Sequence, residues 1–242
     1  EVPLRGTHDV RDAVHRASIG SILSPEELLA LRDTLAVIRR CKGYVHARRA
    51  RAPGLAERAQ AMTTFEPLED AIRQVISDDG SIPDGASREL ARIRRERRTA
   101  EAAVRERLDA LLRGPHARML QDPIITMRGD RYVVPVRAEH KGHFPGVLHD
   151  QSSSGATAFM EPLVVIPLGN RVRELQIEER DEVRRLLQAL SAQAGAQAGL
   201  IRWAYETVGR LDFAVAKARL AAAMRASPPA IRGDGVLRFM EA

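Results

Sequence analysis

Apolar residues recur every three or four positions over much of the chain, which is the spacing of one helical face. Leu28, Leu31 and Leu35 follow this spacing directly after Ser24-Pro25-Glu26-Glu27. A serine N-cap, a proline at the first helical position and acids in the first turn mark a helix start. This helix is predicted to end near Gly43. The same spacing predicts further helices over residues 54–64, 67–77 and 201–225.

Two longer segments carry a narrow apolar seam among many charged residues. The first runs from Ser87 to Arg113 and is interrupted at Arg97, and the second begins near Leu168. At about 1.5 Å per residue the first helix would be roughly 40 Å long, which exceeds what a compact domain requires. The two seams therefore favour an antiparallel two-helix coiled-coil arm projecting from a helical body.

Between the two long helices the pattern changes to short extended runs, which predict strands. Residues 123–128 and 131–137 flank a turn at Gly129-Asp130 and form one predicted hairpin. Residues 146–149 and 157–162 flank a Ser/Gly turn and form a second hairpin. The segment between the helices is therefore predicted to be a β-containing tip.

These elements predict a mainly α fold with a small β-containing tip. The predicted boundaries place a first helical body segment at 1–86, an outgoing arm helix at 87–122, the tip at 123–167, a returning arm helix at 168–200 and a second body segment at 201–242.

Composition adds a preference for a polyanionic partner. The 242 residues include 38 Lys and Arg against 32 Asp and Glu, with a net charge of +6 and a pI near 10.2. Only three of the basic residues are lysine, and arginine pairs with phosphate through two donors at once. A basic balance of this kind favours DNA or RNA as a partner.

Cysteine usage and hydropathy predict a cytoplasmic protein without membrane contact. The single cysteine, Cys41, has no internal disulfide partner and is expected to be a buried helix thiol. The most apolar run, 186–201, is broken by Gln and Gly, and the N-terminus does not resemble a signal peptide. Because the chain opens at Glu1 without a Met, we expect it to be a fragment of a longer protein.

The chain carries no strong enzymatic motif, so it is expected to be non-catalytic and to hold no cofactor or metal. A phosphate-binding glycine loop, paired metal-ligating cysteines and a dinucleotide turn are absent. The histidines at 140, 143 and 149 lack the clustered cysteines typical of zinc sites. A serine relay at 152–154 is disfavoured, because neighbouring residues of a strand face opposite sides.

Two basic groups are the candidate nucleic-acid contacts. Phosphate contact and a solvated coiled-coil face both explain the first group, and a tight turn alone also explains the serines beside the second. The candidate residues are Arg94, Arg95 and Arg98 in the run 92–98, Arg128, Arg131, Arg137 and Lys141 at the tip, and Ser153 and Ser154 in the Ser/Gly turn.

Two groups of residues near the C-terminal end are interpreted as structural. Trp203, with Tyr205 and Phe213, lies at helical spacing and is expected in the core rather than on a base-stacking platform. Gly195 and Gly199 lie four residues apart and are expected to let a neighbouring helix approach closely.

The segments 125–137 and 146–162 resemble the central signature of the second bacterial branch of the MutS family. Supporting matches lie at 20–28 and at Leu168-Gly169-Asn170, followed by the Glu/Arg-rich helix. The resemblance covers essentially the whole chain, and it implies the core, lever and clamp-like segment of such a protein. The final residues, 236–242, would then lie where an ATPase domain begins.

The resemblance implies homodimers that bind branched or duplex DNA and suppress homologous recombination. It also implies a parent protein that is an ATPase using ATP and Mg, usually with an Smr nuclease domain. Some members split collided ribosomes, so an arm that binds ribosomal RNA is one alternative. A mechanical dimerisation arm that never touches nucleic acid is another.

Overall fold

A computed structural model of the chain describes residues 3–226 and Gly233. Its described part contains seven α-helices and one four-stranded antiparallel sheet, so the predicted mainly α fold with a small β element is confirmed. The chain divides into two compact units, which we call the helical unit (Glu1–Ile82 and Leu186–Ala242) and the mixed unit (Pro83–Arg185). The predicted ATPase junction at 236–242 lies outside the described residues.

The helices fall close to the predicted ranges, apart from the first, which the sequence reasoning missed. Their bounds are α1 Arg11–Ser18, α2 Pro25–His46, α3 Pro53–Gln60, α4 Glu66–Val75, α5 Arg88–Arg113, α6 Ile166–Ala196 and α7 Ala198–Ala223.

Helix α2 forms the centre of the helical unit, because α3, α4 and α7 all pack against it. Its buried face includes Leu28, Leu31, Leu35 and Ile38, which are at most 1% exposed. Cys41 is also buried, as predicted. Burial of such side chains stabilises a fold by roughly 1.5–3 kcal/mol each. The core of the helical unit therefore rests on this one helix.

Side-chain hydrogen bonds fix the start of α2. Ser24 accepts a hydrogen bond from the backbone N–H of Glu27, whose carboxylate in turn accepts one from the Ser24 N–H at 2.9 Å. Such a capping box satisfies two of the donors that every helix start leaves unpaired. The adjacent Leu23 N–H donates to the hydroxyl of Ser191 on α6 at 2.9 Å, and that bond is buried. The predicted helix start is therefore confirmed.

The prediction of a core position for Trp203 and Phe213 was wrong. Their side chains are 43% and 64% exposed, although Tyr205 packs against the core. Helix α7 buries the face that includes Ile201, Ala204 and Val208, and the two aromatic residues lie outside that face. Helical spacing indicates which residues share a face, but it does not show which face is covered.

The mixed unit contains a four-stranded sheet with the strand order β1-β2-β4-β3. Both predicted hairpins are confirmed. They join because β2 pairs antiparallel with β4, which places β1 and β3 at the two edges. The strands are β1 Thr126–Arg128, β2 Arg131–Arg137, β3 Gly146–Gln151 and β4 Thr157–Pro162.

The backbone of the sheet departs from regular strand geometry at one turn and at one edge. Gly129 and Asp130 both have positive φ, 52° and 61°, which fits a two-residue hairpin turn between twisted strands. The edge strand β3 shifts its register between Leu148 and Asp150, which forms a bulge. One face of the sheet buries Val134, Val136, Ala158 and Met160 against Val104 and Leu108 of α5 and Val172 of α6.

Helices α5 and α6 run antiparallel in the mixed unit, as predicted. Ser87, the N-cap of α5, donates to Glu182, whereas Glu96 near the middle of α5 pairs with Arg171 near the start of α6. Residues further along α5 therefore contact residues nearer the N-terminus of α6. Among the described residues, no helix combines the length and apolarity needed to cross a membrane.

The two glycines predicted to admit a neighbouring helix differ. A Cβ on Gly195 would meet the carbonyl oxygen of Ala17 on α1 at 2.4 Å, so the prediction is confirmed there. A Cβ on Gly199 would meet nothing within 4 Å, so the prediction was wrong there. The two residues also belong to different helices, α6 and α7, which meet at Gln197.

Replacing Gly195 by Ala should destabilise the helical unit. We expect a loss of about 1–3 kcal/mol, because the added methyl group must displace backbone rather than a flexible side chain. The matched Gly199→Ala variant should be neutral or more stable by less than about 1 kcal/mol, because alanine favours helix. Urea unfolding followed by circular dichroism measures both, and equal effects would contradict the close contact at Ala17.

Candidate nucleic-acid interface

The register of the sheet brings four of the predicted contact residues to one end. Arg137, the last residue of β2, pairs with Thr157, the first residue of β4. Beyond this pair the Ala138 N–H donates to the Ala156 carbonyl at 3.0 Å. We call this end of the sheet, with the turn 152–156 and residues 138–141, the sheet end. It contains Arg137, Lys141, Ser153 and Ser154.

The turn between β3 and β4 leaves two backbone donors for an external acceptor. The N–H groups of Ser152 and Gly155 bond to the carbonyls of Thr157 and Ser152 at 2.9 and 2.8 Å. The Thr157 N–H donates to the Ser152 hydroxyl at 3.1 Å. Within the described residues, the N–H groups of Ser153 and Ser154 have no acceptor, and both residues are exposed. Gly155 has φ +72°, which supports the need for a small residue in this turn.

Arg137 and Lys141 are the two cations available at the sheet end. Arg137 is exposed and Lys141 is half-buried, and neither forms a side-chain hydrogen bond or ion pair within residues 3–226. The nearest acid in sequence, Glu139, pairs with His140 at 3.5 Å. Arg137 and two backbone donors therefore lie beside one turn, and Lys141 follows at the end of the adjoining helical turn, which is an arrangement that suits an anion.

Arg128 and Arg131 lie towards the opposite end of β2, and both contact neighbouring side chains of the mixed unit. Arg128 pairs with Asp150 at 3.1 Å and its guanidinium lies 4.1 Å from the centre of the Phe159 ring. Arg131 donates to Asn170 at 2.7 Å and pairs with Glu161 at 3.4 Å. These contacts give both arginines a structural role.

Glu161 is the buried centre of this second group. Its side chain is 3% exposed, and one carboxylate oxygen lies 2.8 Å from the Nε2 of His149 while the other faces Arg131. A buried carboxylate requires such partners, since an unpaired one is costly to remove from water. His149, considered above as a zinc ligand, is thus engaged by a carboxylate. No group of metal-ligating side chains occurs within the described residues.

Of the three arginines of α5 that were predicted to contact nucleic acid, two form ion pairs within the fold and one does not. Arg94 bonds to Asp84 at 2.9 Å and to Glu179 at 2.8 Å, and Arg98 shares Asp84 at 3.2 Å. Hydrogen bonds from these two arginines lower the pKa of Asp84. Arg95 is exposed and forms no ion pair in the part of the chain that the structure describes.

Similarity to curated proteins covers the chain from end to end. A protein named Endonuclease MutS2 from Geobacillus thermodenitrificans is 41% identical over 245 residues, which cover 100% of this chain and 31% of the relative. Proteins of the same name from Pelotomaculum thermopropionicum and Symbiobacterium thermophilum are 41% and 39% identical over 96% and 98% of this chain, and 30% of each relative is covered.

The chain belongs to the MutS2 family. It spans about a third of the length of the curated relatives it matches. No protein-family model matches it. In this MutS2 family member, the residues that carry the resemblance, 125–137 and 146–162, contain all four strands and the turn 152–156.

Sequence reasoning missed the ion pairs that join α5 to α6 in this MutS2 family member. Arg92 pairs with Glu89, Glu96 and Glu178, and Arg97 pairs with Glu179 at 2.6 Å. The acidic residues of α6 were visible in the sequence, but their partners depend on the relative rotation of the two helices. Much of the basic run is therefore neutralised within the fold.

Replacing Glu161 by Gln should destabilise the mixed unit. We expect a loss of about 1–3 kcal/mol, because Arg131 and His149 lose a buried charged acceptor. The control Asp150→Asn removes a half-exposed partner of Arg128 and should cost less than about 1 kcal/mol. Urea unfolding of both variants tests this, and a Glu161→Gln variant as stable as wild type would contradict the structural role of the buried carboxylate.

Acid should weaken the network of arginine and carboxylate side chains on α5 and α6 before it affects the apolar core. Hydrogen bonds from Arg92 lower the pKa values of Glu89 and Glu96 from an ordinary value of 4.5, and those from Arg185 lower that of Glu182. A lowered folded-state pKa contributes stability that is present above the unfolded pKa and is lost as pH falls through the folded pKa.

The urea midpoint should therefore fall as pH decreases below about 4.5, and less so in the Glu89→Gln, Glu96→Gln, Glu182→Gln variant. Circular dichroism over pH 7 to 2 measures this difference. Equal acid sensitivity of the variant and the wild type would show that these carboxylates do not contribute.

Proposed function

We propose that this chain is a non-catalytic, nucleic-acid-binding segment of a MutS2-like protein, and that the sheet end contacts phosphate. The observation that supports this most directly is the grouping of Arg137 and Lys141 with the N–H groups of Ser153 and Ser154. Phosphate oxygens accept hydrogen bonds from such cations and backbone donors, and these contacts position a protein on DNA without reading its sequence. The net charge of +6 supports a polyanionic partner.

The wider role that we propose follows from the family. We infer a cytoplasmic homodimer that binds branched or duplex DNA and suppresses homologous recombination. In this proposal the core, lever and clamp-like segment couples DNA engagement to an ATPase that uses ATP and Mg elsewhere in the whole protein. The name of the relatives, Endonuclease MutS2, supports a nuclease in that larger protein.

A second candidate is a mechanical arm that dimerises and transmits signals without touching nucleic acid. The ion pairs between α5 and α6 favour it, since they engage Arg92, Arg94 and Arg97 within the fold. An arm that binds ribosomal RNA would use the same phosphate-contacting groups as one that binds DNA. Direct binding measurements with DNA and RNA separate these possibilities.

Replacing Arg137 and Lys141 together by Gln should weaken binding of the 242-residue chain to duplex DNA. Each lost phosphate contact should reduce the magnitude of the log Kd against log salt slope by about 0.9. The affinity should fall for every sequence alike, because the contacts do not read bases. Fluorescence anisotropy at several salt concentrations, with duplex DNA, branched DNA and duplex RNA, provides the measurement.

The matched control is Arg180→Gln on α6. Arg180 is exposed and lies in the same unit, and within the described residues it bonds only to a backbone carbonyl of its own helix. This variant should bind like wild type. If the Arg137 and Lys141 double variant also binds like wild type, the sheet end is not the interface and the mechanical arm becomes the better account.

A further inference from the structure

The outer side of α5 carries a row of four arginines. Successive residues of an α-helix are about 100° apart, so a sector of about 100° can be read from the sequence. Between Arg88 and Arg105, α5 has only arginine and alanine in one such sector, on the side away from its buried residues. The members are Arg88, Ala91, Arg95, Arg98, Ala102 and Arg105. We call the four arginines the outer arginine row.

The acidic residues of α5 that lie between Arg88 and Arg105 are outside this sector, whereas Glu106 and Asp109 fall inside it beyond Arg105. Glu89 and Glu96 pair with Arg92, and Glu101 pairs with Arg97 at 3.5 Å. The next acids, Glu106 and Asp109, follow the end of the row. Up to Arg105 the helix thus places its carboxylates to the sides and leaves only cations and methyl groups in this sector.

Three members of the row have no partner within the fold. Arg88, Arg95 and Arg105 are exposed and form no ion pair or side-chain hydrogen bond among the described residues. Arg98 is the exception, since its side chain shares Asp84 with Arg94 while remaining 60% exposed. The row therefore differs from Arg92, Arg94 and Arg97, which are all neutralised by acids.

The row does not stabilise the helix that carries it. Arg88 is the first residue of α5, where the positive end of the helix dipole disfavours a cation. Arginines seven residues apart on one side repel each other weakly, whereas a carboxylate four residues away would attract them. Asp109 lies four residues after Arg105, but no acid of α5 lies three or four residues from Arg88 or Arg95, so for these two a ligand outside the fold is the remaining source of negative charge.

We propose that the outer arginine row is a second phosphate-contacting surface, which holds the backbone of the same nucleic acid that the sheet end contacts. This inference rests on the proposed function, because it assigns the same ligand. At about 1.5 Å per residue the row extends roughly 25 Å, which suits a long, regularly charged polymer. Alanines between the arginines leave room for that polymer to approach the helix.

An extended nucleic acid fits the row better than an acidic protein surface does. Between Arg88 and Arg105 the sector offers four guanidinium groups, which supply charge and N–H donors, and two methyl groups, but no side-chain acceptor. Phosphodiester backbones present one negative charge every ~3.4 Å along each strand, so a ligand needs no special register to satisfy the row. An acidic polypeptide is the competing occupant that the experiment must exclude.

The test uses Arg88→Gln, Arg95→Gln and Arg105→Gln together in the 242-residue chain. Glutamine has nearly the helix propensity of arginine, so the fold should be retained, as circular dichroism and urea unfolding will show. The expected result is a loss of duplex affinity on the order of tenfold, with a salt slope reduced in magnitude by about 0.9 for each lost contact. Duplex DNA and duplex RNA of equal length should show the same loss.

The matched control is Arg107→Gln. Arg107 lies on the same helix and is exposed, and it has no ion pair among the described residues, but it points about 160° away from Arg105. Binding of this variant should equal that of wild type. If Arg107→Gln alone lowers the logarithm of the affinity by a third or more of the loss seen for the triple variant, bulk charge explains the effect and the inference is overturned.

The remaining outcomes separate this inference from the proposed function. An unchanged row variant beside a weakened Arg137 and Lys141 variant overturns the row alone, and the reverse result overturns the sheet end alone. If both variants bind like wild type, both proposals fail. A loss confined to DNA or to RNA contradicts backbone contact, and binding of poly-glutamate as tight as that of nucleic acid identifies an acidic polypeptide as the ligand instead.

Discussion

Pairing between arginines of α5 and carboxylates of α6 is the interaction on which the mixed unit depends. The apolar contact between these helices is narrow, and Arg97 interrupts it. When two helices meet along a narrow seam of repeated apolar residues, one helix can shift by a turn along the other, because the next apolar residue then takes the position of the previous one. The ion pairs between the helices prevent such a shift, since Arg94 meets Glu179 and Arg171 meets Glu96 in only one register.

The same interaction decides which basic residues face solvent. Isolated surface ion pairs contribute little stability, but connected pairs such as Arg92, Arg171, Glu96 and Glu178 hold several side chains in one arrangement. Cations inside this network are unavailable to a ligand. A run of seven residues with five arginines is therefore mostly an internal feature of the fold, and within it only Arg95 has no ion pair among the described residues.

Local chemistry made most of the elements predictable from the sequence. The capping residues before α2, the Gly129-Asp130 turn and the small residues at 152–156 act within a few positions of themselves, so their effects could be read directly. Helix α1 was missed because it is only eight residues long and its apolar positions are few. The candidate residues Arg137, Ser153 and Ser154 could be named from the sequence, but their proximity depends on the pairing of β2 with β4.

Features that depend on distant neighbours could not be predicted. Trp203 has the spacing of a core residue, yet no part of the described chain covers its face fully. Asp84, Glu161 and Glu179 are ordinary acids in the sequence, and only the folded structure shows which arginines they engage. Glu161 was part of a recognised motif, but its burial beneath Arg131 and His149 follows from the strand order.

The bulge in β3 limits how this protein can associate with itself. An edge strand presents unpaired backbone groups, and here it also exposes Val147 and Leu148, which would favour strand addition by a second molecule. The register shift between Leu148 and Asp150 interrupts the backbone ladder in the middle of a strand only six residues long. An added strand could match the ladder on one side of the bulge only, so this edge offers no continuous template for strand addition.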